Sequence, residues 1–125
     1  MPVRVLIADD AEVIRKAIRD LLASEPTIEV CGEARTFSET LDLATSLKPD
    51  VILLDLHMPD SESPESEFVK FKLLSTSSRI VAISLWQDEE TKIIAQGYRA
   101  VQLLDKAKLC DELIPAIQRV SRQHS

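Results

Sequence analysis

Short apolar runs alternate along the chain with segments in which apolar residues recur at every third or fourth position. The clearest run, Val51-Ile52-Leu53-Leu54, is continuous, which is typical of a strand buried on both faces of a parallel sheet. It is entered from Lys48-Pro49-Asp50 and closed by a loop that contains Pro59. Four further runs have the composition of strands. The five predicted strands span residues 3–8, 28–34, 51–54, 79–85 and 100–104.

Helical periodicity fills the segments between these runs. Thr36 and Glu39 have the spacing of a capping box, which marks the start of the second helix. Pro115 falls inside the last helical pattern, so we place the start of that helix near Asp111, where a proline costs little. The predicted helices are 11–24 (Ile14, Ile18, Leu21 and Leu22 inward), 36–47, one after the polar loop 60–67 (Phe68, Phe71 and Leu74 inward), 87–96, and the final helix (Leu109, Leu113, Ile117 and Val120 inward).

Five strands alternating with five helices predict an α/β fold with a doubly wound parallel sheet and right-handed crossovers. The flavodoxin-like (βα)5 arrangement with strand order 2-1-3-4-5 is the natural choice for this pattern. Its switch point lies between the first and third strands. A chain of 125 residues has the length of one domain, so we expect residues 1–125 to form a single domain.

Composition narrows the function classes. The formal net charge of −6 and the pI of about 4.9 disfavour direct contact with nucleic acid or with anionic lipid. Gly32 and Gly97 are the only glycines, so neither a Walker phosphate loop nor a dinucleotide-binding fingerprint can be written in the sequence. No apolar run approaches the roughly 20 residues of a membrane helix. Cys31 and Cys110 have no metal-site spacing, and we expect buried, reduced thiols in a cytoplasmic protein.

Charged and hydroxyl side chains follow the predicted strands at their carboxyl ends: Asp9, Asp10, Asp55, Ser84 and Lys106. In an open α/β sheet these ends meet at one crevice, where ligands bind. Three crowded carboxylates repel one another unless a cation lies among them, and their hard oxygen ligands suit Mg²⁺. Lys106 adds a positive charge that can neutralise an oxyanion, and Ser84 adds a hydroxyl donor.

Each of these residues also has an ordinary structural explanation. Asp10 alone could cap the first helix, and Asp55 alone could bind nearby backbone N–H groups in the loop. Ser84 could be a strand-end hydroxyl and Lys106 a solvated surface charge. Their coincidence at one sheet edge, with a positive charge placed among negative ones, favours a functional site.

The motifs resemble those of the receiver domains of two-component response regulators (CheY-like domains) over essentially the whole chain. The matching pieces are Leu6-Ile7-Ala8-Asp9-Asp10, Asp55-Leu56-His57-Met58-Pro59, Ser84 and Lys106. The segments 48–55 and 112–117 are most similar to receivers that precede a helix-turn-helix output domain. We expect no such output domain within these residues.

The resemblance implies that Asp55 accepts a phosphoryl group from a sensor histidine kinase or a phosphotransfer protein. Asp10, Asp55 and the backbone carbonyl of His57 would hold Mg²⁺, with Asp9 acting through water. Lys106 would pair with the phosphoryl group, and Ser84 would move toward it and switch a protein-binding surface. The domain would catalyse only its own phosphorylation and dephosphorylation. A downstream protein or output domain would read the switch; homodimerisation, the cognate kinase and the signal stay open.

Two departures from the family pattern affect the expected behaviour, one the switch and the other the lifetime of the phosphoryl group. Leu103 stands where the family usually has Tyr or Phe, which puts the usual aromatic coupling to Ser84 in doubt. Leu85, beside Trp86, is bulkier than the small residue often found there, so we predict slow entry of water and a long-lived phosphoryl group. Trp86 could instead serve a protein contact, and His57 is expected to modulate hydrolysis rather than to bind metal through its ring.

Three other functions compete with this interpretation. A degenerate receiver would bind partners without phosphorylation; the intact set of acidic, hydroxyl and lysine residues argues against it, whereas Leu103 keeps it open. A Mg²⁺-dependent phosphatase with an aspartyl-phosphate intermediate would need an aspartate where this chain has His57. Flavin binding would need a phosphate-binding loop after the first strand, and that loop is acidic.

Overall fold

The computed structural model describes residues 1–60, 67–70 and 77–122. Five parallel strands form one sheet in the order β2-β1-β3-β4-β5, which confirms the predicted topology. Register pairs Ala8 of β1 with Leu54 of β3, so these two strands end side by side at the switch point. The strands are β1 (Val3–Ala8), β2 (Ile28–Ala34), β3 (Val51–Asp55), β4 (Arg79–Ser84) and β5 (Gln102–Asp105).

Helices follow the strands as the periodicity predicts. The helical residues 67–70 are called α3; Phe71 and Leu74, which we placed on the inner face of this helix, and the loop residues 61–66 lie outside the described residues. A short 3-10 helix, Lys106–Lys108, joins β5 to the last helix. The remaining helices are α1 (Glu12–Ala23), α2 (Phe37–Leu47), α4 (Glu89–Gly97) and α5 (Leu109–Arg122).

Alternate residues of the central strands face two separate apolar layers. Val5 and Ile7 of β1 pack on the side of α1 and α5, whereas Leu6 and Ala8 pack on the side of α2, α3 and α4. Phe68 of α3 joins the second layer, as predicted, and its ring lies where a Cβ on Gly97 would be, so α3 approaches α4 closely at this glycine. The two layers bury both faces of the sheet, and the carboxyl ends of its strands form the edge where loops meet.

The predicted starts of two helices are wrong by about two residues. Helix α5 begins at Leu109 rather than near Asp111, so Pro115 is its seventh residue. An interior proline removes one helical hydrogen bond and costs about 3 kcal/mol, but Pro115 is on the exposed face while Leu113 and Ile117 are buried. Helix α4 begins at Glu89 rather than at residue 87, because the Asp88 side chain caps it and accepts a hydrogen bond from Thr91 N.

Two further expectations concern the last strand and the cysteines. Strand β5 begins at Gln102 rather than at residue 100, because Ala100 N still donates to Ala95 O at the end of α4. Both cysteines are free, but Cys110 is exposed and Cys31 only half-buried, so their predicted burial is wrong. Within the described part of the chain, no helix combines the length and the apolarity needed to cross a bilayer.

Candidate functional site

Three aspartates meet at the carboxyl edge of the sheet, where β1 and β3 end side by side. Asp9 and Asp10 follow β1, Asp55 ends β3, and one carboxylate oxygen of each lies within 4.8 Å of the others. Asp9 is fully buried and Asp55 is 1% exposed, whereas Asp10 is exposed to solvent. The predicted acidic cluster therefore exists, with two carboxylates inside the protein and one at its mouth.

Lys106 enters this cluster from the end of β5. Its Nζ lies 2.7 Å from Asp9 Oδ2 and 3.2 Å from Asp55 Oδ1. Burial disfavours the charge of Lys106, but the ion pairs with Asp9 and Asp55 outweigh that cost and raise its pKa. Lys106 is therefore a fixed cation between the two buried carboxylates rather than a solvated surface charge.

The surroundings of the Asp55 carboxyl group disfavour its ionised form. Burial and then the negative charge of Asp9 raise its pKa to about 6, although Lys106 and the His57 N–H act in the opposite direction. Its ionised form would be favoured by any further positive charge placed beside it.

Hydrogen bonds hold Asp9 in place, and the one from Arg15 was not predicted. Asp9 Oδ1 accepts a hydrogen bond from Ala11 N at 2.9 Å. Arg15, buried on α1, donates from Nη1 to the carbonyl oxygen of Asp9 at 2.8 Å and from Nε to Glu33 on β2 at 3.1 Å. The N-cap position of α1 is Ala11, so Asp10 does not cap the helix and stays available at the mouth of the site. In the sequence Arg15 looks like part of the polar stripe of an amphipathic helix, and no local signal sets it apart.

The loop after β3, residues 56–60, is attached to the protein by two buried side chains. Leu56 and Met58 are buried in the apolar layer beneath α2. His57 N, between them, donates to Asp55 Oδ1 at 3.1 Å, which is the loop contact that the structural explanation of Asp55 predicts. Asp60 accepts hydrogen bonds from Phe37 N and Ser38 N at the start of α2, a contact that the sequence analysis missed.

The loop after β4, residues 85–88, borders the other side of the site. Ser84 is fully buried, and its Oγ accepts a hydrogen bond from Trp86 N at 3.0 Å. The Trp86 ring meets the His57 ring edge to face, with centroids 4.8 Å apart. Burial and then the charge of Lys106 lower the pKa of His57, which favours a neutral imidazole there. Leu85 and Trp86 are 61% and 55% exposed.

Comparison with known proteins decides the family. The model of the response regulator receiver domain matches residues 5–118, which is most of the chain and includes every residue of the site. The chain belongs to the response regulator receiver domain family. Domains of this family accept phosphoryl groups in two-component signalling, interact with histidine kinases and output domains, and generally bind Mg²⁺ at an acidic pocket.

Relatives of this receiver domain include both regulators and enzymes. It is 35% identical to the transcriptional regulatory protein LiaR of Bacillus subtilis, over 96% of this chain and 56% of LiaR. It is 30% identical to a protein-glutamate methylesterase/protein-glutamine glutaminase of Pyrococcus abyssi, over 96% of this chain and 35% of the relative. The chain thus spans between about a third and just over half of the length of these curated relatives, and the matched part is the receiver domain.

A solved structure supports the same assignment. The response regulator domain of Thermotoga maritima CheB superposes on this receiver domain with a TM-score of 0.83 at 26% identity, and 98% of each chain is covered. The sequence-based resemblance and fold are both confirmed.

Leu103 lies on β5 beside Ala82 of β4. Its side chain is half-buried and packs against the layer under α4. It also lines a groove of about 190 Å³ with Lys92, Ala95, Gln96 and Val101. This position in the receiver domain therefore holds an aliphatic side chain that contributes to packing.

The acidic cluster of the receiver domain fits a divalent cation. Three carboxylates face one ammonium group, so the cluster retains negative charge. Asp9 Oδ2 is buried, and no donor of the described residues reaches it in hydrogen-bond geometry, although Lys106 Nζ forms an ion pair with it. Hard oxygen ligands near solvent suit Mg²⁺, which retains several waters when bound. The donor set and its charge both match the cation that the family binds.

Proposed function

We propose that Asp55 is the phosphoacceptor of this receiver domain. The observation that carries the proposal is the environment of its carboxylate: it is buried, 3.2 Å from Lys106, and grouped with Asp9 and Asp10. A nucleophile at this position lies between a fixed cation and two further carboxylates, which is the charge pattern that phosphoryl transfer requires.

In the proposed reaction one Asp55 oxygen forms a P–O bond while the P–N bond of a phosphohistidine donor breaks. The imidazole leaves with the electron pair of that bond and takes up a proton. Asp55 must be ionised to attack, and a pKa of about 6 leaves most of it ionised at neutral pH. The product is an acyl phosphate whose oxygens need positive partners.

The chain's own residues supply those partners. Lys106, already 3.2 Å from Asp55, would pair with a phosphoryl oxygen, and the Ser84 hydroxyl would be drawn toward another. We assign Asp10, Asp55 and the His57 carbonyl as ligands of Mg²⁺, with Asp9 acting through water. The cation would offset the negative charge of the transferring group.

Movement of Ser84 would break the contact that it makes with Trp86. The Trp86 N–H bonds to Ser84 Oγ before phosphorylation, so movement of the hydroxyl toward a phosphoryl oxygen would remove one of the contacts that hold the loop after β4. Leu103 would couple to this loop through packing rather than through an aromatic rotamer. The changed surface would be read by a downstream protein or an output domain.

The wider context is proposed from the family. The phosphoryl donor would be a sensor histidine kinase or a phosphotransfer protein in the cytoplasm, and the two free thiols suit that reducing compartment. Residues 1–125 would act as one receiver domain, without direct contact to nucleic acid and with no reaction beyond its own phosphorylation and dephosphorylation.

The test is incubation of the protein with acetyl phosphate, with and without Mg²⁺, followed by intact mass measurement. We expect the mass of one phosphate to be added in the presence of Mg²⁺ and not after chelation with EDTA. Asp55→Asn, which retains the shape of the side chain, should stay unmodified. Equal phosphorylation of the variant would remove the assignment of Asp55.

A further inference from the structure

We propose that Asp60 is a positioning residue for the metal site: it ties the loop after β3 to the start of α2 and so holds the His57 carbonyl in place. The inference rests on the proposed function, in which that carbonyl is a Mg²⁺ ligand. The two carboxylate oxygens of Asp60 accept separate hydrogen bonds, Oδ1 from Phe37 N at 2.8 Å and Oδ2 from Ser38 N at 3.1 Å.

Asp60 binds to a rigid point of the fold. Phe37 is 3% exposed, and its ring stacks on that of Tyr98, with centroids 5.8 Å apart. The third N–H group of α2, that of Glu39, is taken by Thr36 Oγ1 at 3.1 Å. Asp60 therefore takes the first two free N–H groups of the helix, where a negative charge is also favoured by the helix dipole. A carboxylate from another part of the chain completes the cap.

The loop that Asp60 holds carries the candidate ligand. His57 lies between two buried residues, Leu56 and Met58, and its own N–H bonds to Asp55. Beyond Met58, both Pro59 and Asp60 are exposed. The Asp60 contact is thus the polar anchor at the far end of the loop. Among the described residues, Met58 is the buried side chain that would remain on that side without the Asp60 contact, and the His57 peptide could then sample more orientations.

Metal affinity should report this anchor because outer contacts orient the atoms that bind the ion. The proposal also has a thermodynamic converse. If the anchor favours Mg²⁺ binding, Mg²⁺ binding must strengthen the anchor by the same factor. A cap that served only the stability of α2 would have neither effect.

The first experiment measures Mg²⁺ affinity by isothermal titration calorimetry. We expect Asp60→Ala to weaken binding by roughly threefold to tenfold, below the span typical of direct second-shell partners, and Asp60→Asn, which keeps one acceptor oxygen, to lie between it and the wild type. Thr36→Ala is the matched control because it removes a cap of the same helix, worth about 1 kcal/mol, without touching the loop. Glu39→Gln controls for loss of one negative charge at the same helix end. Both controls should bind Mg²⁺ within about twofold of the wild type.

The second experiment follows amide hydrogen exchange of Phe37 and Ser38 by NMR. Mg²⁺ should slow exchange of both amides in the wild type by about the factor that Asp60→Ala costs in affinity, and it should leave them unchanged in Asp60→Ala. Equal Mg²⁺ affinity of Asp60→Ala and Thr36→Ala, with amides insensitive to Mg²⁺, would overturn the positioning role while leaving the metal site intact. A wild type that binds no Mg²⁺ would instead overturn the metal assignment and this inference with it.

Discussion

Two loops border the acidic cluster, and the structure anchors them differently. The loop after β3 inserts Leu56 and Met58 into the core and attaches Asp60 to α2. The loop after β4 exposes Leu85 and Trp86. It contacts the site through the bond from Trp86 N to Ser84 Oγ, the bond from Gln87 Nε2 to Ser84 O, and the packing of the Trp86 ring on His57. One side of the site is held by buried packing and a helix end, the other by polar and aromatic contacts near the surface, one of them to the hydroxyl that the proposed chemistry would recruit.

This difference fits the two tasks that we propose for the site, metal binding and switching. Binding a small cation requires ligands in fixed positions, because misplacement of one oxygen weakens every bond to the ion. A switch requires an element with few buried contacts, which can change conformation at little cost. The anchored loop suits the first task and the exposed loop suits the second.

The largest expected effect comes from truncating the core anchor of the first loop. Met58 is 2% exposed, so Met58→Ala should lower the free energy of unfolding by about 2–5 kcal/mol, through lost apolar burial and the cavity that remains. Leu85→Ala is the matched truncation in the other loop, and because Leu85 is mostly exposed it should change stability by less than about 0.5 kcal/mol. Urea denaturation of both variants measures the contrast.

Similar losses in the two variants would show that both loops are packed alike. The two tasks could then not be divided between the loops as described above.

The second effect concerns the charge of Asp55. Its pKa is about 6 in the folded protein against an ordinary value of 3.8, so the folded state binds the proton more tightly than the unfolded state. The free energy of unfolding of the metal-free protein should therefore fall as the pH rises from about 4 to about 6 and stay low above that. Asp55→Asn should raise it by about 1–3 kcal/mol at pH 7 and remove this slope.

Thermal unfolding in EDTA across this pH range checks the expectation, with Asp42→Asn on the exposed face of α2 as a control for loss of one charge. Mg²⁺ should stabilise the wild type at pH 7 far more than Asp55→Asn. Two results would contradict the raised pKa of Asp55. One is a free energy of unfolding of the wild type that rises between pH 4 and pH 6 through this group, and the other is no gain in that free energy in Asp55→Asn at pH 7.

The smallest effect tests whether the exposed loop shields the acyl phosphate. Leu85→Ala should shorten the half-life of phosphorylated protein by roughly twofold to threefold, since a smaller side chain lets water approach more easily, which corresponds to about 0.5 kcal/mol. Decay of labelled phosphoprotein after removal of the donor measures it, and Val13→Ala, exposed on α1, serves as a control. Equal half-lives for Leu85→Ala and the wild type would remove the shielding role.

Much of the fold could be predicted from the sequence because the strands are simple. Continuous apolar runs such as the one that ends at Asp55 specify buried parallel strands, and once the strands are assigned, topology brings Asp9, Asp55 and Lys106 to one edge. The ends of helices and strands were harder to predict. The Asp88 cap of α4 and the 3-10 helix Lys106–Lys108 depend on hydrogen bonds that no periodicity encodes.

The supporting contacts of the site were beyond local sequence patterns. Asp60 and Phe37 are 23 residues apart in sequence, and Arg15 reaches Glu33 across 18 residues. Such pairs are set by how α1, α2 and the loops dock on the sheet, so they become visible only in three dimensions. The charged residues of the site were predictable by position, whereas the residues that fix their geometry were not.

The most direct test of the central claim is to find which side chain carries the phosphoryl group. Protein treated with acetyl phosphate and Mg²⁺ can be reduced with borohydride, which converts an aspartyl phosphate into homoserine, and then mapped by peptide mass spectrometry. We predict homoserine at position 55 only, and none when Mg²⁺ is withheld. Homoserine at Asp9 or Asp10 with residue 55 unchanged would contradict the account.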